Sequence, residues 1–411
     1  MNDAREFDII VWGASGFTGR LVAEYLFKNY GTDKTIKWAM AGRNQSKLEQ
    51  VRAAVADESV PLVIADSHDE TSLNAMAQRT RVVCTTVGPY GKYGSKLVAA
   101  CVAHQTDYCD LAGEVVWMRH MIDQHHETAK GNGTKIVHTC GFDSIPSDMG
   151  VYFMQKEAIA QTGQPAKQIK MRVKAFAGGI SGGTYASMSD MMEKTQQDRS
   201  LLGVLIKPYS LNPVGEQSGP DKRDLQSVVY DEASNSWISP FIMAGINTKV
   251  VRRSNALGGY PYGKEFRYDE AVMSGDGFRG RVKGIASVLP VGIVMLARPG
   301  SLLKKGLDRM LPKPGEGPSK EKRETGFYDL RFIATLADGS SAVGQVTGDM
   351  DPGYGSTAKM MAESAICLAK DEIPEISGVL TPSIAMGDAL LHRLQESAGL
   401  TFSYRKGGFS R

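Results

Sequence analysis

A doubly wound parallel α/β sheet with a second, inserted α+β domain is the fold class that this 411-residue chain predicts. Three observations predict it. An apolar run, a glycine-rich turn and an amphipathic segment follow one another at the start. Strand–helix units of similar length then repeat to about residue 150. Beyond that point the alternation stops, and an alternating strand and a hairpin pattern take its place.

The first unit is Phe7-Asp8-Ile9-Ile10-Val11-Trp12, then Gly13-Ala14-Ser15-Gly16-Phe17-Thr18-Gly19, then Arg20 to Leu26. This is strand, tight turn, helix, the context in which a glycine triplet signals dinucleotide binding. Gly13 makes the turn, Gly16 lets backbone amides approach a pyrophosphate, and Gly19 lets the helix pack on its strand. The helix start offers unpaired N–H groups and partial positive charge to phosphates. The spacing is G-x-x-G-x-x-G, which goes with NADP-preferring reductases. The second strand, Ile36 to Ala41, ends in Gly42-Arg43-Asn44 with no acid at its tip. An acid there would bind the ribose 2′-hydroxyl of NAD, whereas an arginine accommodates a 2′-phosphate. Arg43 is therefore the expected selector of NADP(H), with Asn44 and Lys47 beside it. The plain alternatives are a glycine turn without a ligand and a solvated arginine at a strand end.

The later units follow the same logic. Ser46-x-x-Glu49 resembles a capping box, Pro61 to Asp66 reads as the third strand, and Ser67-x-x-Glu70 as another cap. Arg81 to Val87, Asp107 to Leu111 and Lys135 to Cys140 complete the sheet. Ligands bind such sheets beyond the carboxyl ends of the strands. Three loops converge there: Gly88-Pro89-Tyr90, Ala112-Gly113-Glu114 and Gly141 to Asp148. The cofactor residues expected are Gly13, Ala14, Ser15, Gly16, Phe17, Thr18, Gly19, Arg43, Asn44, Lys47, Asp66, Val87, Gly88 and Pro89. Tyr90, Asp143 and Ser144 are the catalytic candidates, with Tyr93 and Asp148 nearby. Against them stand structural roles: Gly88-Pro89 shaping a loop, Ser147 as a helix cap with Asp148 in its first turn, Asp143 bracing its own turn.

The expected domains are 1–150, binding NADP; 151–348, inserted, for substrate or dimerisation; and 349–411, C-terminal helices returning to the first. In the second, Ile169, Met171, Val173 and Ala175 alternate with Lys170, Arg172 and Lys174, a strand with a basic face that is either solvated or met by an acidic carrier protein. Phe327 to Leu336 and Ser341 to Thr347 read as a hairpin around Asp338-Gly339. A helix from about Ser356 to Lys370 should turn Met360, Met361, Ser364 and Leu368 inward. Pro312 to Lys322 reads as a surface loop. Ser181-Gly182-Gly183-Thr184 is either tight inter-domain packing or a second anion site. His120, His125 and His126 lack metal spacing and read as surface residues, so no metal is expected.

Net charge of +3 and 23% charged residues do not suggest a nucleic-acid binder. Five scattered cysteines without a C-x-x-C pair indicate neither disulfides nor zinc, which suits a reducing compartment. The polar start runs directly into the first strand, leaving no room for a signal peptide. Cytoplasmic placement is expected. Gly284 to Ala297 is uncharged between basic flanks and too short to span a bilayer, which takes about 20 apolar residues. Residues 284–298 either lie at a membrane interface, placing the protein on its inner face, or form a buried segment or lipid-cleft wall.

Taken together, the Gly13-to-Gly19 turn, Trp38 to Arg43, Gly88-Pro89-Tyr90, Gly141 to Gly150, Ser181 to Thr184, Asp351-Pro352-Gly353-Tyr354-Gly355 and Gly378 to Pro382 resemble the saccharopine dehydrogenase-like oxidoreductases, in the branch of trans-acting enoyl reductases. The motifs run in order along nearly the whole chain. The resemblance implies an NADP(H)-binding Rossmann domain and an enoyl or acyl lipid-type substrate, in lipid or glycolipid biosynthesis. It also implies a polyketide synthase or carrier protein as partner; a homo-oligomer is the expected assembly. Two other readings stay open: a dehydrogenase of an amino-acid-derived imine, and a non-catalytic nucleotide-binding protein at a lipid surface.

Overall fold

The computed structural model describes residues 5–32, 35–178, 189–191, 194, 195, 197–296, 301 and 317–409. In the first part the chain alternates β1 (Phe7–Trp12), α1 (Phe17–Tyr30), β2 (Trp38–Gly42), α2 (Gln45–Val55), β3 (Leu62–Ile64), α3 (Glu70–Gln78), β4 (Thr80–Thr85), α4 (Tyr90–Tyr93), α5 (Ser95–Ala103), β5 (Asp107–Asp110), α6 (Val115–Asn132), β6 (Lys135–Val137) and α7 (Ile145–Thr162). The second part holds β7 (Gln168–Ala177), α8 (Leu201–Ile206), β8 (Val229–Asp231), β9 (Ser236–Pro240), α9 (Ala244–Leu257), β10 (Arg267–Gly275), α10 (Gly277–Leu296), α11 (Lys320–Glu324), β11 (Phe327–Thr335) and β12 (Ser341–Gly348). The chain closes with α12 (Thr357–Lys370), β13 (Gly378–Leu380), α13 (Pro382–Glu396) and β14 (Leu400–Lys406).

The first sheet has the order β13-β6-β5-β4-β1-β2-β3, and every pairing in it is parallel. Such sheets are covered on both faces, so their strands read as continuous apolar runs. All six residues of β1 are buried. Ile9 and Val11 point into one core, Ile10 and Trp12 into the other, as the two-residue strand period demands, while Phe7 at the start of the strand joins the second core. The order reverses between β1 and β4, which opens a crevice at the carboxyl ends of these strands.

The second sheet is mixed, in the order β14-β12-β11-β7-β10-β9-β8. The β11–β12 hairpin forms as the Asp-Gly turn predicts, with Thr335 opposite Ser341 and Gly339 at φ +84°. In α12, Met360, Met361, Ser364 and Leu368 are buried against the first sheet, each apolar one contributing roughly 2 kcal/mol. All five cysteines are buried free thiols.

Several local expectations need correction. Asn44 caps α2 by accepting from the Lys47 N–H, where Ser46 was expected; Asp69 caps α3 through Thr71, where Ser67 was expected. The basic side of β7 is matched by acids along its length and stays open to solvent at Lys174. Arg172 is only 1% exposed, because Asp231 of β8 and Asp269 of β10 take its guanidinium at 3.0 and 2.6 Å. Lys170 reaches Asp231 and Lys174 reaches Asp329. His126 is half-buried and accepts from the Val379 N–H. The C-terminal segment returns to both sheets: β13 extends the first beside β6, and β14 pairs with β12 in the second.

Candidate active site

The turn after β1 has no room for side chains at Gly13 and Gly19. Gly13 sits at φ +88°, and a Cβ there would stand 2.6 Å from Val87 Cγ2. A Cβ on Gly19 would run into the Gly13 carbonyl and meet Thr86 Oγ1 at 2.8 Å. The phosphate turn and the β4 tip are therefore pressed together. Gly16 precedes α1 in extended conformation and supplies no side-chain cap, so the first N–H groups of the helix have no internal partner. That is the donor set a pyrophosphate needs. Ser15 lies against the end of β2, its Oγ 3.5 Å from where a Gly42 Cβ would be. Phe17 turns away from this edge and packs edge-on against Tyr354 at 4.8 Å.

Arg43 is exposed at the β2 tip, with Lys47 on the first turn of α2. The side-chain oxygen of Asn44 is spent on capping that helix. Asp66 ends the β3 loop and accepts from the His68 N–H. Val87, Gly88 and Pro89 follow β4, and the Gly88–Pro89 bond is cis. The residues present fit a dinucleotide: a side-chain-free cradle, an uncapped helix start and a guanidinium at the second strand.

The catalytic candidates separate by environment. The Tyr90 hydroxyl donates to the Thr85 carbonyl at 3.2 Å and accepts from the Leu111 N–H at 3.1 Å, while its ring stacks on Trp117. Burial, with Asp110 nearby, pushes its pKa well above the usual phenol value. Tyr90 is a strut between two strand-end loops. Ser144 is fully buried and donates to Asn247 Oδ1 at 3.0 Å. Asn247 in turn donates to Glu270, which also accepts from the Tyr268 hydroxyl. Burial pushes Glu270 up to about 7. Ser144 thus links α7 to α9 and β10, turned away from the crevice. Asp148 likewise accepts from Ser254 and from the Ser383 N–H, bolting α7 to α9 and α13.

Asp143 remains. It is partly buried on the loop between β6 and α7, and among the described residues no side chain pairs with it. Gly113 adjoins it, since a Cβ there would make an ordinary contact 3.7 Å from Asp143 Oδ1. Burial, reinforced by the Asp110 carboxylate and only partly offset by its own backbone N–H, pushes Asp143 up to about 7.

Three residues that hold this arrangement carried no assigned role in the sequence. Asp110 at the tip of β5 accepts from Tyr108, from His138 Nδ1 at 2.7 Å and from the N–H groups of Ala112 and Thr139. That contact sets the His138 proton on Nδ1. Glu114 accepts from the N–H groups of Tyr90 and Gly91 at 2.8 Å each, tying the β5 loop to the β4 loop. The signal for them was acids placed inside or directly after apolar strands. Asp190, from the second part of the chain, binds Lys92 and Lys194 over α4. Ser181 to Thr184 lie outside the described residues.

Comparison with known proteins agrees with this geometry. Residues 9–137 match the family described as the saccharopine dehydrogenase NADP binding domain. A trans-acting enoyl reductase of Mycobacterium leprae is 38% identical over 413 residues, covering 97% of each chain. A Mycobacterium tuberculosis relative that carries the same name provisionally is 41% identical over 408 residues, covering 95% of this chain and 96% of its own. The apo structure of saccharopine dehydrogenase (L-Glu forming) from Saccharomyces cerevisiae covers 97% of this chain and 99% of its own, with TM-score 0.52 and 12% identity, a likeness of fold. The cofactor is NADP(H), and the protein is an oxidoreductase. The chain belongs to the saccharopine dehydrogenase-like oxidoreductases, in the branch of the trans-acting enoyl reductases.

Proposed function

We propose that this oxidoreductase reduces the conjugated double bond of a lipid-type 2-enoyl substrate, with Asp143 as its proton donor. The observation that carries the reading is a carboxyl at the crevice held near 7, with no side-chain partner among the described residues. NADPH, when bound, supplies the hydride. The chain must then answer charge on the thioester oxygen and deliver a proton to the α-carbon. A carboxyl with a pKa near working pH suits the second task, being both present as the acid and able to part with its proton. Tyr90 and Glu114 fix the loops beside Asp143, where the nicotinamide end of the cofactor would be held.

The buried arginines favour an acyl substrate over an amino-acid-derived imine, whose carboxylates would need guanidinium partners. Arg172 is held by Asp231 and Asp269, Arg252 by Asp221, Arg119 by Asp123, and Arg253 by the carbonyls of Leu211 and Val379. The name of the relatives, trans-acting enoyl reductase, supports delivery of the acyl chain by a separate polyketide synthase or carrier in lipid or glycolipid assembly. This substrate class suits a cytoplasmic enzyme working at the inner face of a membrane.

The test is NADPH consumption with 2-enoyl thioesters of increasing chain length, beside keto-acid and amine pairs that form imines. Turnover of the enoyl series, with the saturated thioester found by mass spectrometry, is expected. Turnover of the imine pairs alone would reverse the assignment, and NADPH binding without turnover of either panel would leave only a nucleotide-binding scaffold.

A further inference from the structure

The inner side of α10 is made for close packing. Gly280 lies against Gly275, Gly284 against Val228 and Ser274, and Ser287 donates to Ser239. At about 100° per residue, these three positions share one face of the helix. On the opposite face Phe278 is 79% exposed, Val282 48%, Ile285 48% and Leu289 61%. These four fall within about 60° of one another around the axis. Single exposed apolar residues need no explanation, whereas a continuous stripe over three turns marks an interaction surface.

Arg279 and Lys283 border the stripe on one side and Arg281 on the other, all exposed. From Gly277 to Leu307 the sequence has six Lys and Arg and no Asp or Glu; Asp276 precedes the first turn. No described helix is long and apolar enough to cross a membrane. The surroundings are those of an interfacial helix: Trp237 stacks under Arg281, and Tyr230, 46% exposed, packs on Trp237.

We infer that α10 docks this protein on an anionic phospholipid bilayer, with Phe278, Val282, Ile285 and Leu289 entering the headgroup boundary and Arg279, Arg281 and Lys283 meeting lipid phosphates. Charge selects this occupant over a second copy of the chain. A two-fold interface brings the same patch against itself and would set these three cations against their own kind. The surface uses no residue of the crevice, so it stands or falls apart from the reductase reading. It also begins nearly two turns before the uncharged run at residues 284–297, because Phe278 and Val282 belong to the same stripe.

The experiment is vesicle flotation of the full chain with phosphatidylcholine alone and with phosphatidylglycerol added. The wild type should float with the anionic vesicles and be released by salt. The I285D/L289D variant should lose at least tenfold in apparent affinity, the cost of withdrawing two large apolar side chains. The R279E/K283E variant should lose about fivefold or more per charge. NADPH affinity, unchanged in all variants, shows that the fold is intact. Equal flotation of wild type and variants, or none with any vesicle, overturns the inference. So does an I285D/L289D variant that turns a wild-type dimer into a monomer, which would assign the stripe to self-association.

Discussion

If Asp143 donates the proton, the rate of reduction must follow its acid form. The carboxyl is held at about 7 because burial disfavours its charge and the Asp110 carboxylate adds to the penalty. With that value, roughly nine-tenths of the enzyme carries the acid at about pH 6 and roughly one-tenth at about pH 8. The turnover number should therefore fall about tenfold across that window and level off below it. Asp143→Asn keeps the shape, removes the proton and should cost about a hundredfold to ten-thousandfold in kcat. It should also flatten the profile, while KM for NADPH stays within about twofold because Asp143 lies outside the phosphate turn. The assay is loss of reduced-nicotinamide absorbance at saturating substrate, with stopped-flow traces to separate chemistry from product release. A wild-type rate that is level between about pH 6 and 8, or an Asn variant with the wild-type rate, would refute the assignment.

Three further outcomes follow from the same geometry. Replacing Arg43 by Ala removes the expected partner of the 2′-phosphate and should weaken NADPH binding about ten- to hundredfold, leaving NADH unaltered; equal affinities in calorimetry before and after would remove Arg43 as selector. Gly19→Ala drives a Cβ into the Gly13 carbonyl and Thr86 Oγ1, so α1 must shift, at about 1–3 kcal/mol of stability and with loss of coenzyme fluorescence enhancement. Glu270, raised from 4.5 to about 7 in the fold, binds its proton more tightly there than in the unfolded chain. The stability this gives is complete below about pH 4.5 and is lost as pH rises through about 7, a change of about 3 kcal/mol. Denaturant titrations at intervals across that range should show the slope in the wild type and not in Glu270→Gln.

The nucleotide half of the molecule was legible because parallel strands buried on both faces leave apolar runs, and each run here ends in a glycine or a small polar turn. What blurred was detail set by backbone angles. Several residues able to cap a helix sit together near each helix start, and only the extended φ and ψ of Asn44 and Asp69 decide between them and Ser46 or Ser67. The strand of Ile169, Met171 and Val173 declared its period correctly. Its basic side was misread because the neutralising carboxylates, Asp231 and Asp269, come from strands 60 to 100 residues further on. The bonds that hold the Tyr90 and Ser144 hydroxyls were hidden for a related reason. Their partners, the Leu111 amide and Asn247, belong to other loops and to α9. Sequence spacing brings a residue to the crevice edge; only the packing decides which way its hydroxyl points.

Asp110 explains why the surviving acid stands where it does. Thr139, just beyond β6, has φ +65°, a conformation that costs a β-branched residue about 1–3 kcal/mol. The Asp110 carboxylate receives the Thr139 N–H at 3.2 Å, its backbone carbonyl receives the Cys140 N–H at 2.7 Å, and Thr139 Oγ1 closes on the His138 carbonyl. These bonds turn the chain sharply after β6, so that Gly141 slides between Leu111 and Thr357 and Asp143 emerges beside Gly113. The strain is located four residues before the proposed donor, and the group that stabilises it also repels that donor's charge. One fully buried carboxylate at the tip of β5 thus works on Asp143 twice, through the backbone by fixing its place and through space by keeping its proton on. Asn in place of Asp110 could accept one of these bonds but not the full set, and would surrender the charge; the position asks for an acid on both counts.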